Sequence, residues 1–268
     1  MVLIHGFSAT GMAWEPVREK LEASFDVMIV NLAGHVGGPE LAEGSEVSVD
    51  ALVDAVERDM DAAEFPQAHL VGNSLGGWIA FELAKRGRAL SVVAVAPAGG
   101  WEAGTRAERR LRMLFTRNHK MSTRMMPRLE KWMRRPRLRR LILSQVATRG
   151  DRIPAAAAVQ MLQDSVNTPV YFELMDAIMR AGPPQSFDGI DCPVALVWGS
   201  KDRILPMRRY SQRLRDMLPD AEWVELRGLG HLPMPDDPEL VVETIARLAR
   251  GGRGGKTAEL EHQGFTAA

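Results

Sequence analysis

The stretch HLVGNSLGGWIAFELAKRG, His69–Gly87, begins as a buried strand and ends as a helix. The apolar run His69–Gly72 has strand character, and Leu75–Arg86 repeats its apolar positions at helical spacing. At the join, Gly72-Asn73-Ser74-Leu75-Gly76 fits Gly-x-Ser-x-Gly. The bare pattern says little, because small residues also serve to pack a βα turn; the strand–turn–helix setting gives it meaning. A serine in such a turn is pushed into a strained backbone conformation. Glycines two positions to either side let the chain cross closely, and the hydroxyl is held clear of the sheet at a helix N-terminus.

The rest of the chain repeats this alternation. Strands are expected at Val2–Ile4, Val27–Asn31, His69–Gly72, Ser91–Ala96, Val194–Trp198 and Trp223–Leu226. Helices are expected at Trp14–Ala23, Val49–Ala63, Leu75–Arg86, Pro206–Met217 and Pro238–Arg250, with Ser48 as an N-cap. Such alternation predicts right-handed βαβ units and a mostly parallel sheet with helices on both faces. It stops between residues 99 and 187, which read as a helical insertion, so residues 1–98 and 188–250 form the core. Residues 251–268, GGRGGKTAELEHQGFTAA, read as a disordered tail. The opening MVLIHGF is apolar from its second residue, as though the chain began inside a strand.

Composition narrows the class. The formal net charge is zero, which gives no polyelectrolyte case for nucleic acid. Cys192 is the single cysteine, so neither an intramolecular disulfide nor a cysteine-rich metal site is available. No apolar run approaches the ~18 residues of a membrane span and no signal peptide is visible, so a soluble, cytoplasmic protein is expected. Charge is uneven: residues 101–150 hold fifteen Lys/Arg against three Asp/Glu, interleaved with methionines and other apolar residues. An apolar, Met-rich cap suits hydrophobic substrates, with Met125, Trp132 and Leu232 as candidate contacts. The basic side chains would attract an anionic substrate or an acidic membrane surface, or simply remain solvated.

A serine hydroxyl needs a base within reach. His231 follows the last core strand in VELRGLGHLPMPDDPELV, a loop that returns to the sheet edge where Ser74 emerges. Asp202 stands in GSKDRILP after the preceding strand, on the same edge. The order Ser74, Asp202, His231 is that of a Ser–Asp–His triad. HGFSATG follows the first strand, where the amides of Phe7 and Leu75 would form an oxyanion hole. His5 reads as a structural turn residue and His35 as a loop residue. No metal-spaced His/Cys cluster is present, and the chemistry requires neither metal nor cofactor.

These residues closely resemble the α/β-hydrolase superfamily of serine hydrolases over Met1–Arg250. His5-Gly6-Phe7, Gly72–Gly77, Asp202 and Gly230-His231 fall where that family has its functional elements, and the insertion falls where it carries a helical cap. The resemblance implies an α/β-hydrolase fold, a nucleophile at 74, an acid at 202, a base at 231 and backbone donors at 7 and 75. With the Met-rich cap, the expected substrate is a small hydrophobic ester. The chain departs in three places. One or two strands usual before the His-Gly segment are absent from this sequence; if nothing precedes Met1, Val27–Asn31 becomes a sheet edge. NLAGHVGG (31–38) replaces a common Asp-x-Arg-Gly-like turn. Leu232 follows the histidine where carbon–carbon bond hydrolases, which share the Asn before the serine, usually carry Trp. Epoxide hydrolases and haloalkane dehalogenases of this fold use Asp at the position of Ser74. The chain therefore reads as a carboxylic ester hydrolase, with carbon–carbon hydrolysis, acyl transfer or non-catalytic ligand binding as alternatives.

Overall fold

A computed structural model describes residues 1–41 and 44–251, and the backbone of 257–260. Seven strands form one parallel sheet: β1 Val2–Ile4, β2 Met28–Val30, β3 Ala68–Asn73, β4 Ala89–Val95, β5 Val194–Gly199, β6 Glu222–Leu226 and β7 Thr257–Leu260. Their order is β2-β1-β3-β4-β5-β6-β7, so β2 lies at the edge. In register, Leu3 pairs with Val71, Val71 with Val93, Val93 with Ala195, and Val197 with Val224.

Alternation along the strands sorts side chains into two cores. Leu3, Val71, Val93, Val197 and Val224 share one face with α1 (Glu15–Glu22) and α10 (Pro238–Ala249), through residues such as Leu21 and Ile245. Val2, Ile4, Leu70, Val92 and Leu196 face the other way, onto α2 (Val49–Ala62) and α3 (Leu75–Lys85). Strands buried on both faces are near-continuous apolar runs, which is why the sequence reads so clearly here. Ser48 caps α2 as expected, its Oγ accepting from the Ala51 amide at 3.0 Å.

Between β4 and β5 the chain is helical: α4 Arg106–Met133, α5 Pro136–Ile142, α6 Ala155–Asn167 and α7 Tyr171–Ala181. Met133, Leu143, Ala147, Ile153 and Ala158 give this insertion a small core of its own.

Two expectations are corrected. Pro206–Met217 is not one helix but two short ones, α8 Met207–Tyr210 and α9 Gln212–Met217. The break falls where Gly100 crosses so closely that a Cβ there would lie 1.7 Å from the Tyr210 carbonyl oxygen. The tail is not uniformly unstructured: Thr257–Leu260 adds to the sheet in parallel with Trp223–Leu226. The exposed side of β6 offers an unpaired row of backbone groups, and this short segment answers it. The rest of the tail, 252–256 and 261–268, lies outside the described residues.

The glycines around Ser74 mark close crossings of backbone. A Cβ at Gly76 would lie 2.2 Å from the Ile4 carbonyl oxygen, and one at Gly72 would lie 2.1 Å from that of Gly76. Because backbone cannot yield as a side chain does, Gly76→Ala is expected to destabilise by ~4 kcal/mol or more. Urea unfolding of the purified variant measures this, and a loss under ~1 kcal/mol would show that the crossing relaxes.

Candidate active site

Ser74 sits between β3 and α3 with φ 56° and ψ −116°, a conformation that L-residues rarely hold. Its surroundings enforce it. The Ser74 amide donates to the Val95 carbonyl at 2.9 Å, and the Ser74 carbonyl accepts from Gly77 at 3.0 Å and Ala98 at 2.9 Å. Leu75 opens α3, so its amide is among the first-turn donors that have no partner within the helix. On the other side, Gly6 brings the chain after β1 so close that a Cβ there would lie 3.1 Å from Ser74 Cβ. Phe7 therefore follows directly beside the serine.

Asp202 and His231, the expected acid and base, lie side by side. His231 Nδ1 lies 2.7 Å from Asp202 Oδ2, with the Asp202 side chain fully buried. The second oxygen, Oδ1, accepts from the amides of Ile204 at 2.9 Å and Leu205 at 2.8 Å, so the carboxylate cannot swing away. With Nδ1–H donated to Asp202, Nε2 is the basic nitrogen of His231. His231 and Ser74 line the same cavity of about 250 Å³.

That cavity lies between the core and the insertion. Phe7, Ala13 and Leu232 wall it from the core, and Phe115, Leu129, Val146 and Tyr171 from the insertion. Phe7 joins the two parts, its ring edge-on to Phe115 at 5.3 Å and Tyr171 at 4.8 Å. Of the anticipated substrate contacts, Leu232 lines the cavity, whereas Met125 and Trp132 are half-buried further along α4 and are not among its wall. Helical spacing marks apolar positions along all of α4, but most of its wall contributions come from the middle turns. None of the fifteen Lys/Arg of 101–150 lines the cavity; its carboxyl group is Asp164, which accepts from Thr10 Oγ1 at 3.2 Å and Gln160 Nε2 at 2.7 Å.

His5 holds the turn before Phe7. Its Nδ1–H donates to the Gly6 carbonyl at 2.8 Å, and Nε2 accepts from the Leu32 amide at 3.0 Å. Both nitrogens are thus committed to a neutral ring. Burial, with His35 nearby, pushes its pKa down to about 3, and burial takes His35 to about 4. His35 is a loop residue by position but a buried one, its ring 5.3 Å from that of His5.

Two positioning residues escaped the sequence reading. Asn73 Nδ2 donates to the His231 carbonyl at 3.0 Å and to the Val95 carbonyl at 3.1 Å, tying the His231 loop to the strand that leads into Ser74. Asp236 accepts from the amides of Gly230 at 2.8 Å, Thr148 at 3.0 Å and Arg149 at 2.7 Å, clamping that loop to the insertion. The adjacent Asp236-Asp237 was the available signal. Asp237 caps α10 through the Leu240 amide at 3.1 Å, which leaves Asp236 to do something else.

Residues 1–244 match the model of the alpha/beta hydrolase family. The chain belongs to that family. Among curated relatives of this hydrolase is the epoxide hydrolase EphH of Mycobacterium tuberculosis, 32% identical over 200 residues that cover 74% of this chain and 94% of the relative. Among solved structures, a thermophilic esterase from Thermogutta terrifontis superposes with a TM-score of 0.70 at 20% identity, covering 94% of this chain and 89% of that one. A 2-hydroxy-6-oxo-6-phenylhexa-2,4-dienoate hydrolase from Rhodococcus gives 0.67 at 23%, covering 93% and 89%. Likeness at these structural identities speaks for the fold.

Two consequences can be measured. Asp236→Ala strands three amides of the histidine loop and its neighbour, with an expected cost of ~3 kcal/mol or more and a lower kcat on any substrate. Chemical denaturation beside turnover checks both. His5 and His35 stay neutral in the fold far below the pH at which an unfolded histidine takes its proton. Their stabilisation is whole above the unfolded pKa, near 6.5, and is lost as pH falls toward about 4 for His35 and about 3 for His5. At pH ~5 each should steepen the loss by up to ~1.4 kcal/mol per pH unit. His35→Gln should remove one such share, read as the difference between the two stability–pH curves.

Proposed function

We propose that this hydrolase cleaves carboxylic esters through an acyl-enzyme formed on Ser74. The observation that carries the reading is the Asp202–His231 pair at 2.7 Å, with its imidazole on the wall of the cavity that Ser74 also lines. His231 Nε2 takes the serine proton as Oγ attacks the acyl carbon, then protonates the departing alcohol. It next activates a water that releases the acid, while Asp202 holds the imidazole in the productive tautomer. The amides of Phe7 and Leu75 stabilise the tetrahedral anion, each worth ~10²–10³ in rate. A largely apolar wall suits a hydrophobic acyl group.

The named activity of the mycobacterial relative favours a different reaction, and the nucleophile argues against it here. Serine attack on an epoxide carbon would leave an ether on Ser74. An ether has no carbonyl for a histidine-activated water to attack, so the enzyme would stall after one turnover. An acyl-serine has that carbonyl. Both tyrosine hydroxyls are, moreover, engaged with backbone carbonyls, Tyr171 with Phe115 at 3.1 Å and Tyr210 with Ala107 at 3.2 Å, so neither stands free to protonate an epoxide oxygen.

p-Nitrophenyl esters of increasing acyl length, given to wild type and Ser74→Ala, test the proposal. Wild type should turn over and Ser74→Ala should lose ~10⁴-fold or more in kcat with an unchanged melt. Turnover retained in the variant would defeat the serine route. A well-folded wild type inert on the whole series would defeat the ester reading and favour carbon–carbon hydrolysis, which product analysis on vinylogous diketones identifies.

A further inference from the structure

The outer face of α4 is not used by the fold or by the proposed chemistry. α4 has 28 residues, a rod of about 42 Å. Arg106, Arg110, Arg117, Lys120, Arg124, Arg128 and Lys131 lie on it within about 100° of circumference at the helical repeat, and all are exposed. Among the described residues none of the seven forms an ion pair, whereas Arg112, on another face, pairs with Asp176. The two acids of the helix, Glu108 and Glu130, fall on other faces. Within the same stripe stand Met113, 65% exposed, and Met121, 47% exposed.

Unpaired cations at this density repel one another unless an extended anion lies against them. Two exposed methionines among them are out of place on a purely solvated face, and suited to entering an acyl layer while the arginine and lysine heads stay at the polar surface. Met121 also lines the cavity that holds Ser74, so the stripe runs beside the cavity mouth. We propose that the outer face of α4 docks the enzyme onto an anionic lipid surface, with its cavity opening toward that surface. The proposal is independent of the bond cleaved: it concerns where the enzyme rests and holds for any substrate that partitions into a bilayer.

Co-sedimentation of the full chain with phosphatidylcholine vesicles, with and without a third of phosphatidylserine, tests it without turnover. Binding should be at least ~10-fold tighter to the anionic vesicles at about 0.05 M salt and should collapse at about 0.5 M, where the Debye length shrinks to a few ångström. Each basic residue that reaches the surface contributes about fivefold. R117E/K120E/R124E/R128E should therefore weaken binding by ~100-fold or more. These exposed side chains do not wall the cavity, so the melt of this variant should match wild type. Met113→Ser should weaken vesicle binding several-fold while leaving duplex DNA binding unchanged. Equal binding to neutral and anionic vesicles at low salt overturns the proposal, as does an unaffected charge-reversal variant. Tighter binding to duplex DNA than to vesicles, insensitive to Met113→Ser, would make the stripe a nucleic-acid surface and overturn it as well.

Discussion

Everything at this site depends on a close crossing of backbone at the C-terminal edge of the sheet. The end of β1, the turn after β3 and the first turn of α3 approach so nearly that Gly72 and Gly76 have no room for a Cβ. That approach holds Ser74 at φ 56° against its preference, and the two sheet cores supply the free energy that keeps it there. A strained residue persists only where its surroundings leave it no alternative. Here the amide and carbonyl of Ser74 are both engaged across β4, so the turn cannot relax by rotating one peptide.

Six of the seven strands were legible because the sheet is parallel and buried on both faces, so each of them is an apolar run with few polar interruptions; the short Thr257–Leu260 has no such run. The triad candidates were legible for a related reason: Ser74, Asp202 and His231 each follow a strand at the same edge, and chain order fixes the edge. Asn73 and Asp236 were harder to read. Their partners are backbone atoms of distant loops, and backbone carries no residue-specific signal in sequence. Met125 and Trp132 show the same limit from the other side, since spacing tells which positions on a helix are apolar but not what lies against them.

The zero net charge of the chain conceals a division of labour. The insertion carries the positive charge and the rest of the chain balances it, yet the reaction cavity between them is walled by neither kind of cation. Asp164 and Thr10 meet across that boundary at 3.2 Å, and Ser8 and Ser165 at 3.0 Å, so the segment after β1 is pinned to α6 by short polar side chains. Electrostatics in this molecule is thus arranged in layers, with basic side chains outermost, mostly apolar groups and the Asp164 carboxylate around the cavity, and the buried Asp202 carboxylate beneath the imidazole.

Phe7 has a double allegiance. Its ring is gripped by Phe115 and Tyr171 of the insertion, while its backbone lies beside Ser74. A lineage that exchanged one insertion for another to admit a new substrate would loosen the ring, and with it the peptide that stands beside Ser74. Substrate range and catalytic power are therefore not separately adjustable in this scaffold: any replacement lobe has to rebuild an aromatic socket for this one side chain before it can be selected for what it lets in.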